Sequence, residues 1–181
     1  MCGIFGVVGS YDADTARRSL DTLAPRGTDG IDFDEGRGYF FGQTRLAIMD
    51  IDQIGGVFAD GAARLVFNGE IYNYRALADE LGLSQPFTEG SAILCGLLRH
   101  GKSFLSRLRG MYALVFWDGR RLLLARDSVG KKPLFYSLQN GSLIFASEIK
   151  AILPHLSAKS VSKEGLNGFF GFLSPVAPRT I

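Results

Sequence analysis

Tyr112-Ala113-Leu114-Val115-Phe116-Trp117-Asp118-Gly119-Arg120-Arg121-Leu122-Leu123-Leu124-Ala125 reads as two apolar strands folded back on each other. Asp118-Gly119 supplies the turn, because hairpin turns of two residues need positive φ angles that Gly, Asn and Asp adopt most readily. The pattern repeats at once: Leu134–Ser137, Asn140-Gly141, Leu143–Ala146. Further short apolar runs bounded by Gly, Asp or Asn occur at Ile4–Val8, Gly38–Phe41, Leu46–Met49 and Arg64–Phe67. Helical spacing is confined to Asp14–Leu23, Tyr74–Leu81, Ser91–Arg99, Glu148–Leu153 and Lys163–Phe172. Gly82 and Gly101 follow two of these segments, where a helix C-terminal cap favours glycine. Hairpin-linked strands with helices at intervals predict an α+β protein, with stacked antiparallel sheets covered by helices.

Composition narrows the function. The chain has 181 residues, 46% of them hydrophobic and 21% charged, with a net charge of +2. That balance suits one soluble domain, with no basic run for nucleic acid and no apolar run of the roughly 18–20 residues a membrane span needs. The N-terminus carries no charged leader before its apolar stretch, and a cytoplasmic setting is expected. The two cysteines, Cys2 and Cys95, make no disulfide scaffold; two histidines, His100 and His155, are too few for a Cys/His metal cluster, so no metal is expected. Gly96-Leu97-Leu98-Arg99-His100-Gly101-Lys102-Ser103 matches a phosphate-loop pattern. Helical spacing through Ile93, Leu94, Leu97 and Leu98 argues against it, and Gly101 is better read as a cap.

Chemistry gathers elsewhere. In Met1-Cys2-Gly3-Ile4-Phe5-Gly6, removal of Met1 would leave Cys2 with both a thiol and the free α-amine. An α-amine has a pKa of about 7.7–8.0, so it can serve as the base that a thiol nucleophile needs. A plain strand-opening cysteine is the rival reading. Acyl transfer at Cys2 also requires donors for an oxyanion, which the Asn68 side chain and the Gly69 backbone N–H could supply. Asn68-Gly69 alone would read as a turn, but Glu70-Ile71-Tyr72 does not resume an alternating strand, so the segment is read as a strand running into a loop. Arg45, at the start of the Leu46–Met49 strand, could hold a substrate carboxylate; an ion pair with Asp50 or Asp52 is the alternative. Arg126 and Asp127 read as a structural pair.

These segments occur together with Arg26-Gly27-Thr28-Asp29, Gly110-Met111-Tyr112-Ala113, Arg126-Asp127 through Pro133-Leu134, and Ala146-Ser147-Glu148-Ile149-Lys150-Ala151. In this order they resemble the glutaminase domain of asparagine synthetases, a class II (N-terminal nucleophile) glutamine amidotransferase family, over nearly the whole of residues 1–181. The resemblance implies a four-layer αββα sandwich. It also implies that Cys2 attacks the glutamine side-chain amide, with its α-amine as base and later acid. Asn68 and Gly69 would then stabilise the oxyanion, and water would hydrolyse the thioester to glutamate, releasing ammonia. By the same resemblance Arg45 binds the glutamine α-carboxylate, and Leu46, Ala47, Ile48, Met49 and Glu70 line the pocket.

The chain also departs from the family pattern. Thr88-Glu89-Gly90-Ser91-Ala92-Ile93-Leu94 stands where the family has a stretch like Asp-Xaa-Glu-Val-Ile-Leu. Glu89 therefore takes the place of the Asp that holds the substrate ammonium, and Ser91 replaces the second acid. Pro25 and Thr28 stand where a His and a Pro are usual. No Ser-Gly-Gly-Xaa-Asp-Ser loop occurs, so no cofactor is expected in this chain. The implied partner is an ATP- and Mg-dependent C-terminal synthetase domain, expected beyond an apolar end at Ala177–Ile181, which would amidate aspartate to asparagine. A homodimer is left open. Two alternatives are another ammonia acceptor, such as a sugar acid, and a degenerate regulatory domain that no longer turns glutamine over.

Overall fold

The computed structural model describes residues 1–46 and 56–173. Two antiparallel sheets form its centre. The first has the order β2-β3-β1-β9-β8, built from Gly30–Gly36, Tyr39–Arg45, Gly3–Val8, Ser142–Ala146 and Phe135–Gln139. The second has the order β4-β5-β6-β7, built from Phe58–Asp60, Ala63–Ile71, Gly110–Trp117 and Leu122–Arg126.

Side-chain alternation along each strand sorts residues into layers. On β1, Phe5 and Val7 face outward beneath helix α1 (Ala13–Asp21) and α4 (Ile149–Ile152), against Ala16, Leu20, Ala151 and Ile152. Ile4 faces inward and meets Phe41, Val66, Val115 and Phe145 between the sheets. On β5, Leu65, Phe67 and Ile71 pack outward beneath α2 (Tyr74–Glu80) and α3 (Glu89–His100), against Leu77, Ile93, Leu94 and Leu97. Helix, sheet, sheet and helix therefore stack as the expected αββα sandwich. Each fully buried Phe, Leu or Ile contributes about 1.5–3 kcal/mol. A fifth helix, α5 (Lys163–Phe172), follows, and among the described residues no helix is long and apolar enough to cross a membrane.

The two hairpins lie where the sequence puts them, with one refinement. Asn140 (φ 49°) and Gly141 (φ 81°) form the turn between β8 and β9. Between β6 and β7, however, the Asp118 N–H bonds the Arg121 carbonyl, so the central residues are Gly119 and Arg120. Only Gly119 has a positive φ there, while Asp118 closes the turn by accepting the N–H groups of Arg120 and Arg121. The phosphate-loop pattern dissolves as expected: α3 runs to His100, and the ring of Phe104 lies against Gly96.

Several expectations are corrected. Arg45 ends β3 instead of opening a strand at Leu46–Met49; Leu46 follows it, and Ala47, Ile48 and Met49 lie outside the described residues. The segment from Asn68 to Ile71 is no loop, since β5 stays in register with β6 through Ile71 opposite Gly110. Strands β2 and β4 are additional. The first is an edge strand whose Ile31 and Phe33 remain exposed among acids, and the second has only three residues, so neither carries an apolar run. Asp12 starts α1 a residue early by capping Thr15, and Pro154 diverts the end of α4 into a tighter turn over Leu153–His155.

Candidate active site

The N-terminal segment is held by side chains from three directions. Cys2 lies one residue before β1, in phase with Ile4 and so on the inter-sheet side. Its Sγ sits on the backbone of Leu46, 3.4 Å from the N–H it accepts and 3.7 Å from the carbonyl to which it donates. The Cys2 carbonyl accepts from Arg26 Nε at 3.1 Å, and Arg26 Nη1 pairs with Glu148 at 2.8 Å. Hydrogen bonds from Arg26 and then Lys150 hold the Glu148 carboxyl below its ordinary pKa. Thr44 Oγ1 accepts the Gly3 N–H at 3.0 Å while donating to the Leu23 carbonyl, and Ser147 Oγ accepts the Ile4 N–H at 3.0 Å. Met1, which precedes Cys2, is exposed.

Opposite lies β5. Asn68 shares the inward phase of Val66, and it is 1% exposed. Its Nδ2 has no hydrogen-bond partner among the described residues. A buried amide donor left unmade costs about 1–3 kcal/mol, so such a group calls for an explanation. The neighbouring backbone supplies a second donor. Phe67 and Ile71 give their N–H groups to the side chains of Gln43 and Glu89, so the odd residues of β5 point their backbone groups away from β6. Gly69 lies between them in the same phase, beyond β4, which pairs no further than Leu65. A Cβ at Gly69 would stand 2.2 Å from the Met111 carbonyl oxygen, so β6 approaches here as only glycine allows. Glu70, next along β5, is half-buried.

Glu89 opens α3 and is 6% exposed, with Oε1 accepting the Ile71 N–H. This bond ties its carboxylate to the strand that carries Asn68 and Gly69. Ser91 instead closes a capping box with Thr88, each side chain accepting the other's backbone N–H. Its hydroxyl thus does a helix-terminal job that the Glu of many capping boxes does. Arg45 is half-buried at the end of β3, and its carbonyl accepts the Asp29 N–H at 2.9 Å. The turn after Arg26 lies flat on it, because a Cβ on Gly27 would meet Arg45 N at 2.4 Å.

Arg126 and Asp127 do not pair with each other. Arg126 donates to the carbonyls of Gly130 and Lys132, whereas Asp127 accepts the N–H groups of Tyr112, Val129 and Lys131. Burial raises the Asp127 pKa, but bonds from Lys131, Tyr112, Val129 and Lys132 outweigh it and hold the carboxyl low. Arg26, Ser147 and Glu148, and Gln43 and Thr44 of the segment 43–50, stand in stretches that the sequence marks without assigning any of them a task. The polar side chains of Gln43 and Thr44 inside an otherwise apolar strand are the available signal.

Residues 1–181 match the family model for the glutamine amidotransferase domain. The chain is 33% identical over 198 residues to asparagine synthetase [glutamine-hydrolyzing] 3 of Bacillus subtilis (strain 168), covering 99% of this chain and 32% of that protein. It is 34% identical to asparagine synthetase [glutamine-hydrolyzing] 1 of the same organism, covering 100% and 31%. It thus spans about a third of the length of these relatives. The solved structure of glutamine phosphoribosylpyrophosphate amidotransferase from B. subtilis superposes with a TM-score of 0.69 at 21% identity, covering 83% of this chain and 43% of that one. At that identity the superposition establishes the shared fold.

Proposed function

The chain belongs to the family of glutamine amidotransferase domains, and from that membership we propose that it hydrolyses glutamine through a thioester on Cys2. Removal of Met1 frees the Cys2 α-amine, which takes the thiol proton as Sγ bonds to the carbon of the glutamine side-chain amide. The carbonyl electrons move onto oxygen, where Asn68 Nδ2 and the Gly69 N–H receive the negative charge. As the oxyanion collapses, the C–N bond breaks and the α-amine returns its proton to the departing nitrogen, releasing ammonia. Water then adds to the thioester, and glutamate leaves with Sγ restored to a thiol.

The observation that carries this reading is the buried Nδ2 of Asn68, without a partner among the described residues, on the inward side of β5 as Cys2 is on that of β1. A preorganised donor without a ground-state partner costs folding free energy and returns it when charge develops on the substrate. In the same reading Arg45 binds the α-carboxylate and Glu89, oriented by the Ile71 N–H, holds the α-ammonium. Leu46, Ala47, Ile48, Met49 and Glu70 line the pocket. The named relatives are glutamine-hydrolysing asparagine synthetases about three times as long. Ammonia from this domain accordingly serves amidation of aspartate by an ATP- and Mg-dependent synthetase domain.

The test is the intact mass before and after incubation with a diazo-ketone analogue of glutamine, with Cys2→Ala as control. Loss of Met1 and one adduct, absent in the control, is the expected outcome. A chain that has lost Met1 yet gains no adduct and releases no glutamate would reject the reading.

A further inference from the structure

Gln43 crosses the gap between the two sheets. It sits in β3, paired with Ile4 of β1 on one side and Asp32 of β2 on the other. Although polar, it is 4% exposed, and its Oε1 accepts the N–H of Phe67 in β5 at 3.3 Å. Ile4 lies two residues beyond Cys2, and Phe67 immediately precedes Asn68. One side chain therefore links β3, the strand paired beside the one that follows Cys2, to β5, which carries Asn68 and Gly69.

The surroundings hold that side chain in place. Gly56 covers it so closely that a Cβ there would stand 2.8 Å from Gln43 Cβ and Cγ. Gly56 is itself pinned, because one Asp32 oxygen accepts the N–H groups of Gly56 and Val57 at 2.9 and 3.0 Å. Asp32 is the cross-strand partner of Gln43, so the acceptor and the anchor of its cover sit side by side in the first sheet. A buried amide spanning two sheets is costly to maintain for stability alone, since apolar packing would fill the same space.

We infer that Gln43 is a positioning residue for glutamine hydrolysis: its amide sets the separation of the two sheets at Phe67, and thereby the distance from Cys2 to Asn68 and Gly69. This rests on the Cys2 reading above. Displacements of about 1 Å at a reacting centre can cost 10²-fold in rate, so a strut one residue from the donor pair has the reach required.

The experiment compares Gln43→Met, which fills the space without an acceptor, with Gln43→Glu, whose carboxyl can accept the same bond. Both are made in the full chain processed to begin at Cys2. Glutamate release gives kcat and KM, hydrogen exchange reads the Phe67 amide, and thermal unfolding reads stability. Gln43→Met is expected to lose Phe67 protection and to lower kcat about tenfold or more, with KM for glutamine within about threefold. Gln43→Glu is expected to recover most of the loss in kcat. Unchanged kcat in Gln43→Met, with or without loss of stability, overturns the inference while the Cys2 reading stands. Equal loss in both variants overturns it too. If the unsubstituted chain neither hydrolyses glutamine nor accepts the diazo-ketone label, the Cys2 reading fails and the inference falls with it.

Discussion

The dipeptide Asn-Gly occurs at residues 68–69 and again at 140–141, and the fold uses it in opposite ways. Asn140-Gly141 is the tip of a hairpin, with φ angles of 49° and 81°, both residues exposed and open space around Gly141. Asn68-Gly69 lies within β5, paired to Ala113 and Tyr112 of β6, with Asn68 sealed between the sheets. At the first place the side chains are chosen for the backbone angles they tolerate. At the second, Asn68 buries an Nδ2 that has no partner among the described residues, and Gly69 admits the closeness of a neighbouring strand. A turn-forming dipeptide is therefore a statement about backbone freedom, and the surroundings decide whether that freedom is used.

Asn68→Ala and Asn140→Ala are expected to separate most widely. The first should lower kcat for glutamine about 10²–10³-fold with the circular dichroism spectrum retained, as for loss of an oxyanion donor. The second should leave kcat unchanged and cost about 1 kcal/mol in stability, because Ala is strained in the left-handed region. Equal kcat values in the two variants would erase the distinction. A smaller contrast is expected between Gly69→Ala and Gly141→Ala. The Cβ at 69 meets the β6 backbone, so overpacking should cost about 1–3 kcal/mol in denaturant unfolding and depress kcat as well. At 141 the cost should be about 1 kcal/mol, with full activity.

The mildest effect belongs to the Asn140 end of the sandwich, where a cavity of about 200 Å³ is lined by Asn140 and His155, among others. His155 stacks on Phe5, and its Nε2 lies 3.0 Å from Oγ of the fully buried Ser19. Burial depresses its pKa, with Asp12 opposing the shift more weakly. The unfolded chain, titrating near 6.5, therefore binds the proton more readily than the fold does. The resulting stability is complete above pH 6.5 and is lost as pH falls through the folded value. Urea unfolding at pH 7.5 and 5.5 should show this loss, and His155→Phe should reduce it. A pH dependence unaltered by His155→Phe would show that other groups govern it.

Local signals carried the architecture further than the site. Both hairpins, the alternating inward and outward residues, and α5 over Lys163–Phe172 follow from turn chemistry and periodicity, which act over a few residues. The N-terminal Cys and the Asn-Gly-Glu stretch stand out in the sequence as candidate chemistry, although each alone also fits a strand-opening cysteine or a turn. Strands β2 and β4 were not legible, since an edge strand among acids and a three-residue strand have no apolar run to reveal them. Nor was Arg45 correctly placed: the same residues fit a strand's first position or its last, and only pairing with Gly30 in β2 decides.

By itself, then, the sequence determined the hairpins and the helices, which of their faces are apolar, and which residues carry reactive groups, because those properties reside in single residues and their spacing. Tertiary structure alone decided that Asn68-Gly69 stays extended, that Asn68 Nδ2 has no partner among the described residues, and that Gln43, Arg26 and Glu148 serve the strands around Cys2. These depend on contacts across 24 positions from Gln43 to Phe67 and 122 from Arg26 to Glu148. The physical reason is that a hydrogen bond between sheets, or an orphaned donor, exists only when packing brings distant segments together, and no local spacing encodes that meeting.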